Sequence, residues 1–268
     1  MLTAGRVEVG TGVDGLRLAV GDDGVAVLTI DRPARRNALT LAMWAGLPGI
    51  LTGLADDSRV RVLLVTGAGD TFSAGADIGE LLDVYADPDR ADGYHATNVA
   101  AEEALAGFPR PTMAVIRGTA VGGGCQLAVA CDLRLAESSA WLGITPAKLG
   151  VVYPAVPTTR LVRLVGPARA KYLLYSADLV TAERAVTLGL VDEVVADGGL
   201  ADRALGLART IASRSPQTLG AVKAVVEAVT AGDDPQRAIE PWERASRHAP
   251  DVREGLAAFV ERRPPHFS

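Results

Sequence analysis

The strongest constraint on this 268-residue chain is the run RGTAVGGGCQLAVACD at residues 117–132. A nearly continuous apolar run at 112–116 leads into it, and a second apolar run overlaps its end at 132–136. Short apolar runs bounded by turns suit strands buried on both sheet faces, and residues 123–130 between them suit a helix. Strand, glycine turn, helix and strand in that order predict an α/β class. Residues 61–66 (RVLLVT) repeat the strand pattern. Residues 16–20 and 25–31 flank Gly21-Asp22-Asp23-Gly24, a hairpin connection whose Asp and Gly tolerate positive φ. Residues 40–54 read as a helix capped by Thr40. The alternation runs to about residue 195, without a repeat of fixed period.

After Gly198-Gly199 the pattern changes to helices alone, at 200–213, 216–229, 234–248 and 251–262. Such a tail must bury its apolar faces on the core or on another subunit. The expected organisation is therefore an α/β core over 1–198 and a helical oligomerisation region over 199–268. The balance of 27 basic against 32 acidic residues gives a net charge of −5 and argues against a nucleic-acid partner. The best candidate membrane span, 113–130, is broken by Arg117 and by glycines, so no membrane partner is expected. No basic stretch followed by an apolar one opens the chain, so no signal peptide is expected either. Cys125 and Cys131 form no CxxC and read as buried small hydrophobes in a reducing, cytoplasmic setting. No His/Cys/carboxylate cluster has metal-ligand spacing.

The glycine turn carries the chemistry. The first amides of a helix lack internal partners, and Gly122-Gly123-Gly124 would let a ligand approach them. Three glycines also suit close helix–strand packing. The spacing is neither a dinucleotide fingerprint nor a P-loop. A second turn, FSAGADI at 72–78, also puts small residues at the end of a strand. Two such turns can aim two N–H groups at one oxygen, the geometry of an oxyanion hole.

FSAGADI followed by GTAVGGGCQLAVACD resembles the crotonase superfamily, also called the enoyl-CoA hydratase/isomerase family. Asp31-Arg32-Pro33, Asn37-Ala38-Leu39, Leu149-Gly150 and the ending FVERRP at 259–264 extend the resemblance over nearly the whole chain. It implies a spiral of β-β-α units, a C-terminal helical trimerisation region, and trimers that pair into hexamers. It implies an acyl-CoA thioester substrate, with coenzyme A as part of that substrate and no separate cofactor. The amides of Ala76 and Gly123 would hold the thioester carbonyl. Backbone around Ala74, Ala76, Asp77, Ile78 and Gly122 would hold the CoA moiety, and Arg32 and Arg35 lie where basic contacts to its phosphates are expected. A bulky side chain at Gly123 is expected to occupy the carbonyl site.

The chain departs from a hydratase at the two glutamates that handle water in the resembling family. Gln126 and Pro146 stand at those positions. An amide accepts no proton and proline offers no side-chain function, whereas general acid–base groups contribute roughly 10²–10⁴ in rate. The segment TPAKLGVVY at 145–153 resembles the methylmalonyl-CoA decarboxylase branch, except that Ala76 and Gln126 differ from that branch. On this reading the chain is a CoA-thioester lyase that decarboxylates a malonyl-type thioester. Tyr153 would bind the departing carboxylate, with Gln126 and Thr145 assisting. A hydratase or isomerase with a non-standard base, and a non-catalytic acyl-CoA-binding subunit, remain as alternatives. His248 and His266 read as surface residues, while His95 falls in a segment that shapes the acyl pocket and is a minor candidate for a base.

Overall fold

The computed structural model of the chain describes residues 2–267. In order, the elements are β1 (Val7–Val9), β2 (Leu16–Val20), β3 (Val25–Ile30), α1 (Leu41–Asp56), β4 (Val62–Gly67), α2 (Ile78–Val84), α3 (Pro88–Ala106), β5 (Thr112–Ile116), β6 (Thr119–Val121) and α4 (Gly123–Ala130). There follow β7 (Leu133–Glu137), β8 (Trp141–Gly143), α5 (Ala155–Val165), α6 (Pro167–Ser176), β9 (Val180–Thr181), α7 (Ala182–Leu188) and β10 (Glu193–Val195). Four helices finish the chain: α8 (Leu200–Ala212), α9 (Pro216–Ala231), α10 (Pro235–Ser246) and α11 (Pro250–Glu261).

Seven strands form one sheet in the order β1-β2-β3-β4-β5-β7-β10, and β6-β8-β9 form a second. The first two pairings of the large sheet are antiparallel and the rest are parallel. The strands missing from the large sheet's sequence order are those of the small one. In β5-β6-α4 and again in β7-β8-α5 the chain visits the large sheet, then the small one, then a helix, which gives the spiral of β-β-α units.

Period-2 alternation explains why β3, β4 and β5 are buried on both faces. Ala26, Leu28, Leu63, Val65, Ala114 and Ile116 face the core shared with α1, α3 and α4. Val25, Val27, Val62, Leu64, Met113 and Val115 face the opposite way, where α8 covers them with Leu200, Ala204, Leu205 and Ala208. The first helix of the C-terminal region therefore packs directly on the sheet. Cys125 and Cys131 are buried and unbridged, and burial pushes both thiols up to about 12. No helix among the described residues is long and apolar enough to cross a membrane.

Candidate active site

Residues 72–77 run between two other segments and are hydrogen-bonded to both. On one side Ser73 N donates to Thr119 O at 3.0 Å, and Val121 N donates to Ser73 O at 2.9 Å. On the other side Ala74 N donates to Arg36 O, Leu39 N to Gly75 O and Asp77 N to Leu39 O. Ser73 Oγ donates to Asn37 O and accepts from Gly75 N. Asn37, fully buried at φ +56°, braces the neighbouring loop through Ala68 O and Thr71 O. The amide of Ala76 is left without a partner among the described residues.

The glycine turn leaves a second such amide. Val121 N and Gly122 N are engaged, by Ser73 O and Gly143 O, while Gly123 N, the first amide of α4, has no partner among the described residues. Each glycine here has its own steric reason. Gly75 sits at φ +92°, where a Cβ would come within 2.6 Å of Val121 O and 3.0 Å of Gly123 N. Gly122 takes φ +52° and ψ −118° to redirect the chain into the helix. A Cβ on Gly124 would meet Ser73 O at 2.5 Å. The close packing and the exposed amides expected of this turn therefore occur together.

A Cβ on Gly123 would stand 2.8 Å from Cζ2 of the buried Trp44 and 3.6 Å from Ala76 N. This corrects the expectation that a side chain at Gly123 would simply fill the carbonyl site, because its first atom collides with the indole wall behind it. The same distances put both free amides at the edge of one small space. Two unpartnered N–H groups at one edge, one of them at a helix N-terminus, can stabilise negative charge developing on a carbonyl oxygen.

That edge belongs to a cavity of about 110 Å³. The expected residues Ala74, Ala76, Ile78, Gly122, Gly123, Gln126, Thr145 and Tyr153 line it. Arg32, Arg35 and Asp77 do not. Arg32 instead ion-pairs with Asp77 at 3.0 Å and donates to Ala38 O at 2.7 Å. Asp77 caps α2 through Gly79 N, and its hydrogen bond from Arg32 holds its carboxyl below the usual range. Arg35 is exposed. Glu80 accepts from Leu41 N at 2.6 Å at the start of α1. A wider hollow of about 390 Å³ among α9–α11 shares no residue with this cavity.

Gln126 is tied neither to solvent nor to a backbone carbonyl. Its Nε2 donates to Asn98 Oδ1 at 2.7 Å and to Glu102 Oε2 at 2.9 Å, both on α3. Two acceptors consume both amide hydrogens, so Oε1 is the polar atom Gln126 has left. Glu102 is fully buried and ion-paired with Arg160 of α5. Burial raises its carboxyl above the usual range, with Arg160 and Gln126 acting the other way. The hydroxyls of Tyr94 and Tyr153 and the indole Nε1 of Trp44 are buried without partners among the described residues. Burial raises both phenols, and for Tyr153 the Glu102 charge adds to the effect. The hydroxyl of Tyr85 lies 2.7 Å from His95 Nε2 at the same cavity. Sequence reasoning missed Trp44, Asn98, Glu102, Arg160, Tyr85 and the role of Tyr94. They come from α1, the end of α2, α3 and α5, and no local motif joins them to the glycine turn.

The fold is that of the crotonase class of acyl-CoA enzymes, and the comparisons with known proteins agree. The family model for enoyl-CoA hydratase/isomerase matches residues 21–268, and the chain belongs to that family, within the crotonase superfamily. It is 35% identical over 249 residues to the crotonyl-CoA hydratase of Syntrophomonas wolfei, covering 92% of this chain and 95% of the relative. It is 34% identical over 248 residues to the 2,3-dehydroadipyl-CoA hydratase of Escherichia coli, covering 91% and 94%. The crystal structure of an enoyl-CoA hydratase from Bacillus anthracis superposes with a TM-score of 0.89 at 32% identity, covering 95% of this chain and 99% of that one. These relatives correct the expectation of a decarboxylating CoA-thioester lyase. They are named as hydratases, which add or remove water, and the resemblance to the decarboxylase branch is not supported by any of them.

Proposed function

We propose that the protein adds water to the double bond of a short 2-enoyl-CoA thioester. The observation that carries this reading is the pair of unpartnered amides, Ala76 N and Gly123 N, at the edge of a small, largely apolar cavity. Water's oxygen bonds to the β-carbon, and the electron pair of the double bond moves onto the thioester oxygen. The two amides would stabilise that enolate more than the substrate carbonyl, which is the condition for lowering the barrier. The α-carbon then takes a proton. Gln126 Oε1 would orient the water by accepting from it, and the Tyr153 and Tyr94 hydroxyls would donate within the same cavity. The hydratase names of the relatives support hydration over carbon–carbon cleavage.

The cavity of about 110 Å³ favours a short acyl group. Coenzyme A would enter as part of the substrate, with no further cofactor, in a cytoplasmic setting. Incubating the pure protein with crotonyl-CoA and methylmalonyl-CoA in ¹⁸O-water, and following product masses, tests the reading. The expected product is ¹⁸O-labelled 3-hydroxybutyryl-CoA, with the malonyl thioester unchanged. Loss of CO₂ from methylmalonyl-CoA with crotonyl-CoA untouched would overturn it.

A further inference from the structure

The hydration reading leaves one chemical step without an owner, the removal of a proton from water. Among the side chains lining the cavity, the titratable ones are Tyr85, Tyr94, Tyr153 and His95. No carboxylate among the described residues lines it, and Glu102, bonded to Gln126, spends its oxygens on Gln126 and Arg160. A phenol is a poor proton acceptor near neutral pH, and burial raises all three tyrosines further. An imidazole has an ordinary pKa of about 6.5 and accepts a proton readily there.

His95 also has the right placement. It lies three residues before Asn98 on α3, so the two share a helix face about 4.5 Å apart along the axis. Asn98 bonds Gln126, and Gln126 lies three residues after Gly123 on α4. His95 is half-buried, wedged edge-on between the rings of Tyr94 and Tyr85 at centroid distances of 6.2 and 5.9 Å. Its Nε2 is 2.7 Å from Tyr85 Oη, and its Nδ1 has no partner among the described residues.

We propose that His95 is the general base of this site, held by Tyr85, and that its Nδ1 accepts the proton of the attacking water. The inference rests on the hydration reading. In the required tautomer Nε2–H donates to Tyr85 Oη, which leaves the Nδ1 lone pair for water. As the water oxygen bonds to the β-carbon, its proton passes to Nδ1 and the enolate charge settles on the thioester oxygen. The imidazolium then returns a proton to the α-carbon, so water is added in full and His95 ends neutral. Tyr85 acts through His95 and is a positioning residue.

The titratable groups that touch His95 are Tyr85, just past the end of α2, and Tyr94 beside it on α3. Asp77 and Glu80 stand at the head of α2, Tyr153 lies across the cavity, and the Glu102–Arg160 pair lies behind Gln126. Because the base must be neutral, kcat/KM of the wild type should fall toward acid pH as the base takes up a proton. His95→Gln, which can still hydrogen-bond Tyr85, should lower kcat on crotonyl-CoA by about 10²–10⁴-fold. It should leave KM within a few-fold and abolish the acid limb. His95→Ala should recover part of its rate with added imidazole, a response no packing role produces. Tyr85→Phe should lose part of kcat yet keep the limb. An active wild type matched by His95→Gln in rate and pH profile overturns this assignment alone. A wild type that hydrates no enoyl-CoA overturns the hydration reading and this assignment with it.

Discussion

At the scale of single residues, the site depends on groups whose partners lie far away in the chain. Glu102 is the clearest case. Removing a carboxylate from between Arg160 and Gln126 leaves a half-buried guanidinium and a buried amide donor unmatched, a loss of about 1–3 kcal/mol. Glu102→Ala should therefore be far less stable to urea, while Arg160→Met with Glu102→Leu should recover much of the loss. Gly123→Ala should cut turnover by about 10²-fold or more, because its Cβ meets Trp44 at 2.8 Å and crowds the space beside Ala76 N. A kcat measurement on a variant whose circular dichroism is native would check this, and an unchanged rate would remove Gly123 from the site. The glycine turn was legible in the sequence because small residues with free amides announce themselves locally. Glu102 was not. It lies 24 residues before Gln126 and reads, in isolation, as a solvated charge.

The same distinction holds for whole elements. Strands β3, β4 and β5, and helices α1, α4 and α8–α11, follow from apolar patterns and lie within a few residues of the expected spans. Helix α3 carries no such pattern, because the face it buries is largely polar. Tyr94, Asn98 and Glu102 recur every four residues and point inward, joined by Ala101 and Leu105. Apolar periodicity finds core helices, so a helix that lines a site with polar side chains escapes it. Strands β6, β8 and β9, with two or three residues each, are too short to show any period.

At the head of α2, Asp77 both caps the helix and pairs with Arg32. Its carboxyl titrates below its ordinary value of 3.8, so the pairing stabilises the fold above that pH and is lost as pH falls through the depressed value. Asp77→Asn keeps a capping oxygen but not the charge. Its thermal midpoint should drop less steeply than the wild type's below about pH 4. Parallel acid limbs would show that the Arg32–Asp77 pair contributes nothing.

For the whole molecule, α9 and α11 leave Val222, Val226, Val229, Leu256, Phe259 and Val260 exposed, Phe259 at 85%. Apolar side chains on neighbouring helices favour burial against further copies of the chain. We expect trimers, or pairs of trimers. Sedimentation at micromolar concentration should show them, and Phe259→Glu with Val226→Asp should shift the protein toward monomer. A monomeric wild type would contradict this. The spiral serves the site by bringing the ends of β4 and β6 together, so that residues 72–77 and 117–123 hold one another with their spare amides side by side. The most direct test is the Raman difference spectrum of a bound enoyl-CoA carrying ¹³C at the thioester carbonyl. Two N–H donors on that oxygen should polarise it and move its stretch to lower frequency than in water, with the shift reduced in Gly123→Ala. A carbonyl band that stays where it lies in free solution would contradict the account.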